Sequence, residues 1–90
     1  MSTIQQKIAV FPGSFDPVTK GHEAIVKRAL PLFDKVIIAI GNNTEKNKYF
    51  TLEQRRLYLQ KTFAHLPNTE IAVFEGLTVN FCKSVGANYI

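Results

Sequence analysis

The run Lys35-Val36-Ile37-Ile38-Ala39-Ile40 constrains this chain more than any other stretch. Its five consecutive apolar side chains, four of them β-branched, leave no polar face for water, so a strand here must be covered on both sides. That is the pattern of a parallel strand between layers of helices. Lys7-Ile8-Ala9-Val10-Phe11, ended by Pro12-Gly13, and Glu70-Ile71-Ala72-Val73-Phe74 repeat it, and Asn88-Tyr89-Ile90 opens a fourth strand. Between the first two strands, His22, Ile25, Val26, Ala29, Leu30 and Phe33 follow one helical face. This helix is expected to start near Gly21-His22 and to kink or end near Leu30, because Pro31 removes a hydrogen bond and crowds the preceding turn. Thr51-Leu52-Glu53-Gln54 has the spacing of a capping box, and a second helix follows to about Ala64. Its inward stripe is expected to include Leu52, Leu59 and Phe63, with Arg55, Gln60 and Lys61 facing water. Thr78 to Val85 reads as a short helix with Gly86 as its left-handed cap. The order β-α-β-α-β-α-β predicts an α/β fold with right-handed crossovers, a parallel sheet and helices on both faces.

Ninety residues, 46% of them hydrophobic, make room for one small domain, residues 1–90, with a core near the lower limit of what burial sustains. No apolar run approaches the roughly 20 residues that span a bilayer, which predicts no membrane partner. One cysteine, Cys82, cannot form an intramolecular disulfide, and Met1 to Lys7 lacks a secretory pattern, so a cytoplasmic protein is expected. The net charge of +4 favours anionic ligands. The basic residues are dispersed rather than gathered in a stripe, which favours a phosphorylated small molecule and argues against nucleic acid.

In an open parallel sheet, ligands gather at the carboxyl ends of the strands, where loops diverge and helix N-termini present free N–H groups. Three loops qualify: Pro12 to Gly21, Gly41 to Lys48, and Glu75-Gly76-Leu77-Thr78. In the first, Gly13 permits a turn, Ser14 offers a hydroxyl and an N–H, and Gly21 lets an anion approach the helix. His22 then falls in the first helical turn, where its ring could donate to a phosphate oxygen or simply cap the helix and pack. Asp16, followed by Pro17, suits a turn better than a metal site. Cys82 reads as a buried structural thiol, and His65 as a favourable charge at the end of the second helix when protonated.

The stretch Phe11-Pro12-Gly13-Ser14-Phe15-Asp16-Pro17-Val18-Thr19-Lys20-Gly21-His22 resembles the signature of the nucleotidyltransferases that carry an H/T-x-G-H motif, here Thr19-Lys20-Gly21-His22. Threonine at position 19, Lys46 and the run Tyr49-Phe50-Thr51-Leu52-Glu53-Gln54-Arg55 resemble the bacterial phosphopantetheine adenylyltransferase family in particular. Nicotinate mononucleotide adenylyltransferases and glycerol-phosphate cytidylyltransferases are similar in the first loop only. The resemblance implies a Rossmann-like fold, and the transfer of AMP from ATP to 4'-phosphopantetheine, giving dephospho-coenzyme A and pyrophosphate. By position, it implies that His22 stabilises the transition state and binds ATP together with Ser14 and Phe15. Lys46 would act in catalysis between the two phosphates, and Ser14, Lys46, Leu77 and Thr78 would contact phosphopantetheine. Thr78 equally suits a helix N-cap, and Lys48, which stands where the family often has proline, could share the role of Lys46.

Magnesium, held through the ATP phosphates without dedicated protein ligands, and a hexamer of two trimers are likewise implied by the resemblance. Family members continue past the position of Ile90, inside the fourth strand, with further phosphate-binding segments. These 90 residues alone are therefore expected to have little or no activity. A related nucleotidyltransferase with another phosphate acceptor and a non-catalytic nucleotide-binding module are the competing readings.

Overall fold

The computed structural model describes residues 6–42 and 48–90. Strand β2 (Lys35–Gly41) lies between β1 (Ile8–Gly13) and β3 (Thr69–Phe74), and both pairings are parallel. The β-branched run fills the centre of the sheet: Val36 to Ile40 are all at most 2% exposed. Alternate side chains divide between two cores, as the pleat requires. Val36, Ile38 and Ile40 pack with Val26 of helix α1 (Lys20–Ala29) and with Leu59 and Phe63 of helix α2 (Leu52–Phe63). Ile37 and Ala39 pack with Val10, Phe74 and with Cys82 of helix α3 (Thr78–Ser84) on the opposite face. The expected helices on both faces are present.

Several boundaries move for identifiable reasons. β1 runs on through Pro12 and Gly13, which stand opposite Ala39 and Ile40, so the first loop begins only at Ser14. α1 starts at Lys20 because Thr19 caps it. The helix ends at Ala29, and Pro31 falls in a single 3-10 turn, Leu30–Leu32, as the proline predicted. Ile25 departs from the expected apolar stripe and is 53% exposed. It looks onto the outer edge of β1, where an apolar groove of about 400 Å³ is lined by Ile25, Val26, Tyr89 and Ile90, among others. In place of the expected fourth strand, an isolated parallel bridge lies on that edge: Tyr89 bridges Ala9, the Val10 N–H donates to the Tyr89 carbonyl at 2.9 Å and the Asn88 N–H to the Ile8 carbonyl at 3.2 Å.

The largest correction concerns Arg55. Expected in water, it is 4% exposed and lies on the inward stripe of α2 with Leu59 and Phe63.

Candidate functional site

The parallel register brings the ends of all three strands to one edge of the sheet: Gly13 is level with Ile40, and Gly41 with Phe74. The loops after β1, β2 and β3 leave from that edge. Asn42 ties the second loop to the third, its N–H donating to the Phe74 carbonyl at 2.8 Å and its side-chain amide to Glu75 Oε2 at 3.4 Å.

The first loop turns on Phe15. Its φ of +49° lies in the left-handed region, an uncommon conformation for an aromatic residue. Burial compensates, since the ring is 2% exposed and packs edge-on to both Phe11, at 5.5 Å, and His22, at 4.9 Å. Gly13 makes this possible in a way the sequence did not suggest, because a Cβ there would come within 3.1 Å of the Phe15 ring. It serves as the floor under an aromatic side chain rather than as a turn residue.

His22 both caps and packs. Its backbone N–H donates to Thr19 Oγ1 at 3.3 Å, and the Thr19 N–H donates to His22 Nδ1 at 2.9 Å. This is a reciprocal capping box with histidine in the place usual for Glu or Gln. An Nδ1 that accepts carries no proton in the neutral ring, so the proton sits on Nε2. Nε2–H makes no hydrogen bond among the described residues, and it is the donor the ring retains for a ligand. The same turn leaves the Lys20 and Gly21 amides without intrahelical acceptors. Three donors and the positive end of a ten-residue helix therefore meet at the carboxyl end of β1, which is a favourable place for phosphate oxygens.

Ser14 is exposed and Phe15 buried, with the Phe15 ring against that of His22. Lys46 lies outside the described residues, and so does any test of whether it meets them. Lys48 is half-buried in a polar pocket of about 320 Å³ that Asn42, Tyr49, Phe50, Thr51, Leu52 and Arg55 also line. Leu77 and Thr78 stand at the start of α3, two strands from β1 and so roughly 10 Å across the sheet. Leu77 itself takes the N-cap position and makes no side-chain cap bond, which removes Thr78 from the capping role. Leu77 is 65% exposed and Thr78 half-buried.

Two roles escaped the sequence. Asp16 is more than a turn residue: Oδ2 accepts from the Tyr49 N–H at 2.7 Å and Oδ1 from the Phe50 N–H at 2.8 Å, joining the first loop to the end of the second. Arg55 donates from Nη1 to the Ser14 carbonyl at 2.9 Å and from Nε to the Phe50 carbonyl at 3.2 Å. The helical period carried a signal for Arg55, since it falls at the i+3 place of the stripe Leu52, Leu59, Phe63. Away from the site, His65 Nε2 lies 3.2 Å from Glu23 Oε2, linking the end of α2 to α1, and Cys82 is buried as expected.

A strand, a loop and a helix N-terminus, set at the open end of a parallel sheet, form the kind of crevice where open α/β folds bind ligands. The chain belongs to the cytidylyltransferase-like family, whose model matches residues 10–90. Among the curated relatives it matches are phosphopantetheine adenylyltransferases. That of Cytophaga hutchinsonii is 57% identical over 93% of this chain and 56% of its own length. The enzyme of Leuconostoc mesenteroides is 52% identical over 92% of this chain and 51% of its own, and that of Bdellovibrio bacteriovorus 43% identical over 93% and 52%. The chain thus spans about half the length of the curated relatives it matches. A crystal structure of the NadR protein in complex with NAD and AMP-PNP shares the fold, with a TM-score of 0.69 at 21% identity over 81% of this chain and 21% of that one.

Proposed function

We propose that this chain carries the first half of a phosphopantetheine adenylyltransferase site, which transfers AMP from ATP to 4'-phosphopantetheine in coenzyme A synthesis. The observation that carries the reading is the corner formed by Phe15, Thr19 and His22, found in a chain 57% identical to such an enzyme. The acceptor phosphate attacks the α-phosphorus, the bond to the pyrophosphate oxygen breaks, and the charge passes to pyrophosphate. A phosphate monoester with a second pKa of about 6 is already mostly dianionic near neutrality, so no protein nucleophile is needed. The protein's part is to position the reactants and to stabilise the charge that develops in the transition state. In this reading His22 Nε2–H and the Lys20 and Gly21 amides meet the ATP phosphates, and Ser14 and Phe15 hold the two reactants together. Lys46 adds a point charge between them, and Leu77 and Thr78 contact the pantetheine arm. That arm is long enough to link corners separated by two strands.

Magnesium would enter on the ATP phosphates. Among the described residues no three His, Cys, Asp or Glu side chains gather as metal ligands, and both oxygens of Asp16 already accept amide protons. The engaged oxygens of Asp16 support an ion carried on the ATP phosphates, and no step above runs through the metal. A cytoplasmic location accords with ATP as the substrate. A hexamer would be read from the mass of the assembled protein in solution. Among the described residues no helix is long and apolar enough to cross a membrane.

The test uses the full product of the reading frame that carries these 90 residues, beside the 90-residue chain alone. Pyrophosphate release should require phosphopantetheine and should not occur with nicotinate mononucleotide, and the short chain should release little. His22→Ala should lower kcat by about 10²–10³-fold, the usual cost of losing one donor to transition-state charge, while ATP affinity stays within about threefold. A protein that binds ATP and loses that affinity in His22→Ala, but releases no pyrophosphate with any acceptor, would instead be a binding module.

A further inference from the structure

We propose that Arg55 is a positioning residue for adenylyl transfer, aiming the Phe15 amide at the bound anion through its grip on the Ser14 carbonyl; the proposal rests on the function read above. Arg55 is 4% exposed and permanently charged, in a stripe where leucine would pack without any desolvation cost. Its two hydrogen bonds go to backbone carbonyls in different loops, Ser14 at 2.9 Å and Phe50 at 3.2 Å. A planar fork can satisfy two such acceptors at once, and an ammonium group cannot do so with the same geometry.

Asp16 closes the arrangement. It accepts the Phe50 N–H at 2.8 Å while Arg55 holds the Phe50 carbonyl, so both polar groups of Phe50 are fixed to the first loop, one directly and one through the guanidinium. The consequence lies in the next peptide plane. The Ser14–Phe15 peptide is trans, which sets its carbonyl and its N–H in opposite directions. Holding the Ser14 carbonyl toward α2 turns the Phe15 N–H away from α2. That N–H makes no hydrogen bond among the described residues, and its residue packs against His22 at 4.9 Å. Arg55 therefore sets the direction of a backbone donor beside the catalytic histidine without touching either reactant.

The experiment compares wild type, Arg55→Lys and Arg55→Met in the full reading-frame product, by steady-state kinetics and by amide NMR with inorganic pyrophosphate as the probe. In wild type, pyrophosphate should shift the Phe15 amide. In Arg55→Met that response should fall at least threefold while the β2 amides remain protected. Kcat should fall about 30–100-fold in Arg55→Met and about tenfold in Arg55→Lys, with KM for ATP within threefold, since displacing a reacting group by about 1 Å can cost on the order of 100-fold. Should Arg55→Met fail to fold, Arg55→Lys carries both measurements. The proposal is overturned if the Phe15 response survives in the variants, if kcat stays within twofold of wild type, or if turnover falls only in step with the fraction of folded protein. Wild type that binds pyrophosphate through Phe15 but transfers no AMP would refute the function and leave the aiming role intact.

Discussion

The first and third loops leave the same edge of the same sheet, yet they are built in opposite ways. The first is held by a buried aromatic ring, a reciprocal cap at Thr19–His22, two bonds from Asp16 and one from Arg55. The third leads through Glu75, Gly76 and Leu77, all exposed, into a seven-residue helix without a side-chain cap. The contrast follows the chemistry proposed for each. Stabilising a developing charge requires donors fixed before the substrate arrives, because a donor that must reorient loses much of its advantage. Contact with a flexible arm requires accessible apolar surface such as Leu77, and fixed geometry adds little there.

Substitutions should reproduce the contrast. Phe15→Ala should have the largest effect on stability, about 3–5 kcal/mol by chemical denaturation, because it empties a buried aromatic site while the backbone keeps its left-handed strain. A loss below about 1 kcal/mol would show that the ring does not organise the loop. Thr19→Ala removes one side of the capping box and should cost about 1 kcal/mol. The Thr19 backbone N–H that bonds His22 Nδ1 remains, so the imidazole nitrogen shifts that report the tautomer should be unchanged, and a change would show that the hydroxyl, 3.1 Å from Nδ1, also orients the ring. Leu77→Ala should shift stability by less than about 0.5 kcal/mol, as exposed positions usually do. Its effect should appear instead as a roughly tenfold rise in the KM for phosphopantetheine, equivalent to about 1.4 kcal/mol of lost contact. Equal stability losses at Phe15 and Leu77 would erase the distinction between the two loops.

Most of the fold was legible because its signals are local. A β-branched run with no polar face has to be a covered strand, Thr51-x-x-Gln54 has to offer a cap, and Pro31 has to interrupt a helix. Each appears where the spacing put it. The candidate site was legible in part for the same reason, since Ser14, Phe15, Thr19 and His22 are neighbours in the chain. The second capping box shows where local reading stops: Thr19-x-x-His22 has the spacing of Thr51-x-x-Gln54, but histidine at the third helical position is not the residue type that signals such a box.

Arg55 shows the limit more sharply. Its position in the helical period placed it inward, and its charge argued for water. The decision between them depended on two carbonyls, one of them 41 residues away in sequence. By itself the sequence determined the order of strands and helices, the residues of the first loop and the kinship those residues carry. Only the tertiary structure decided that Asp16 and Arg55 bind the first loop to the second. A buried charge is tolerated only where acceptors converge on it, and that convergence exists only once the sheet has brought distant loops to one edge.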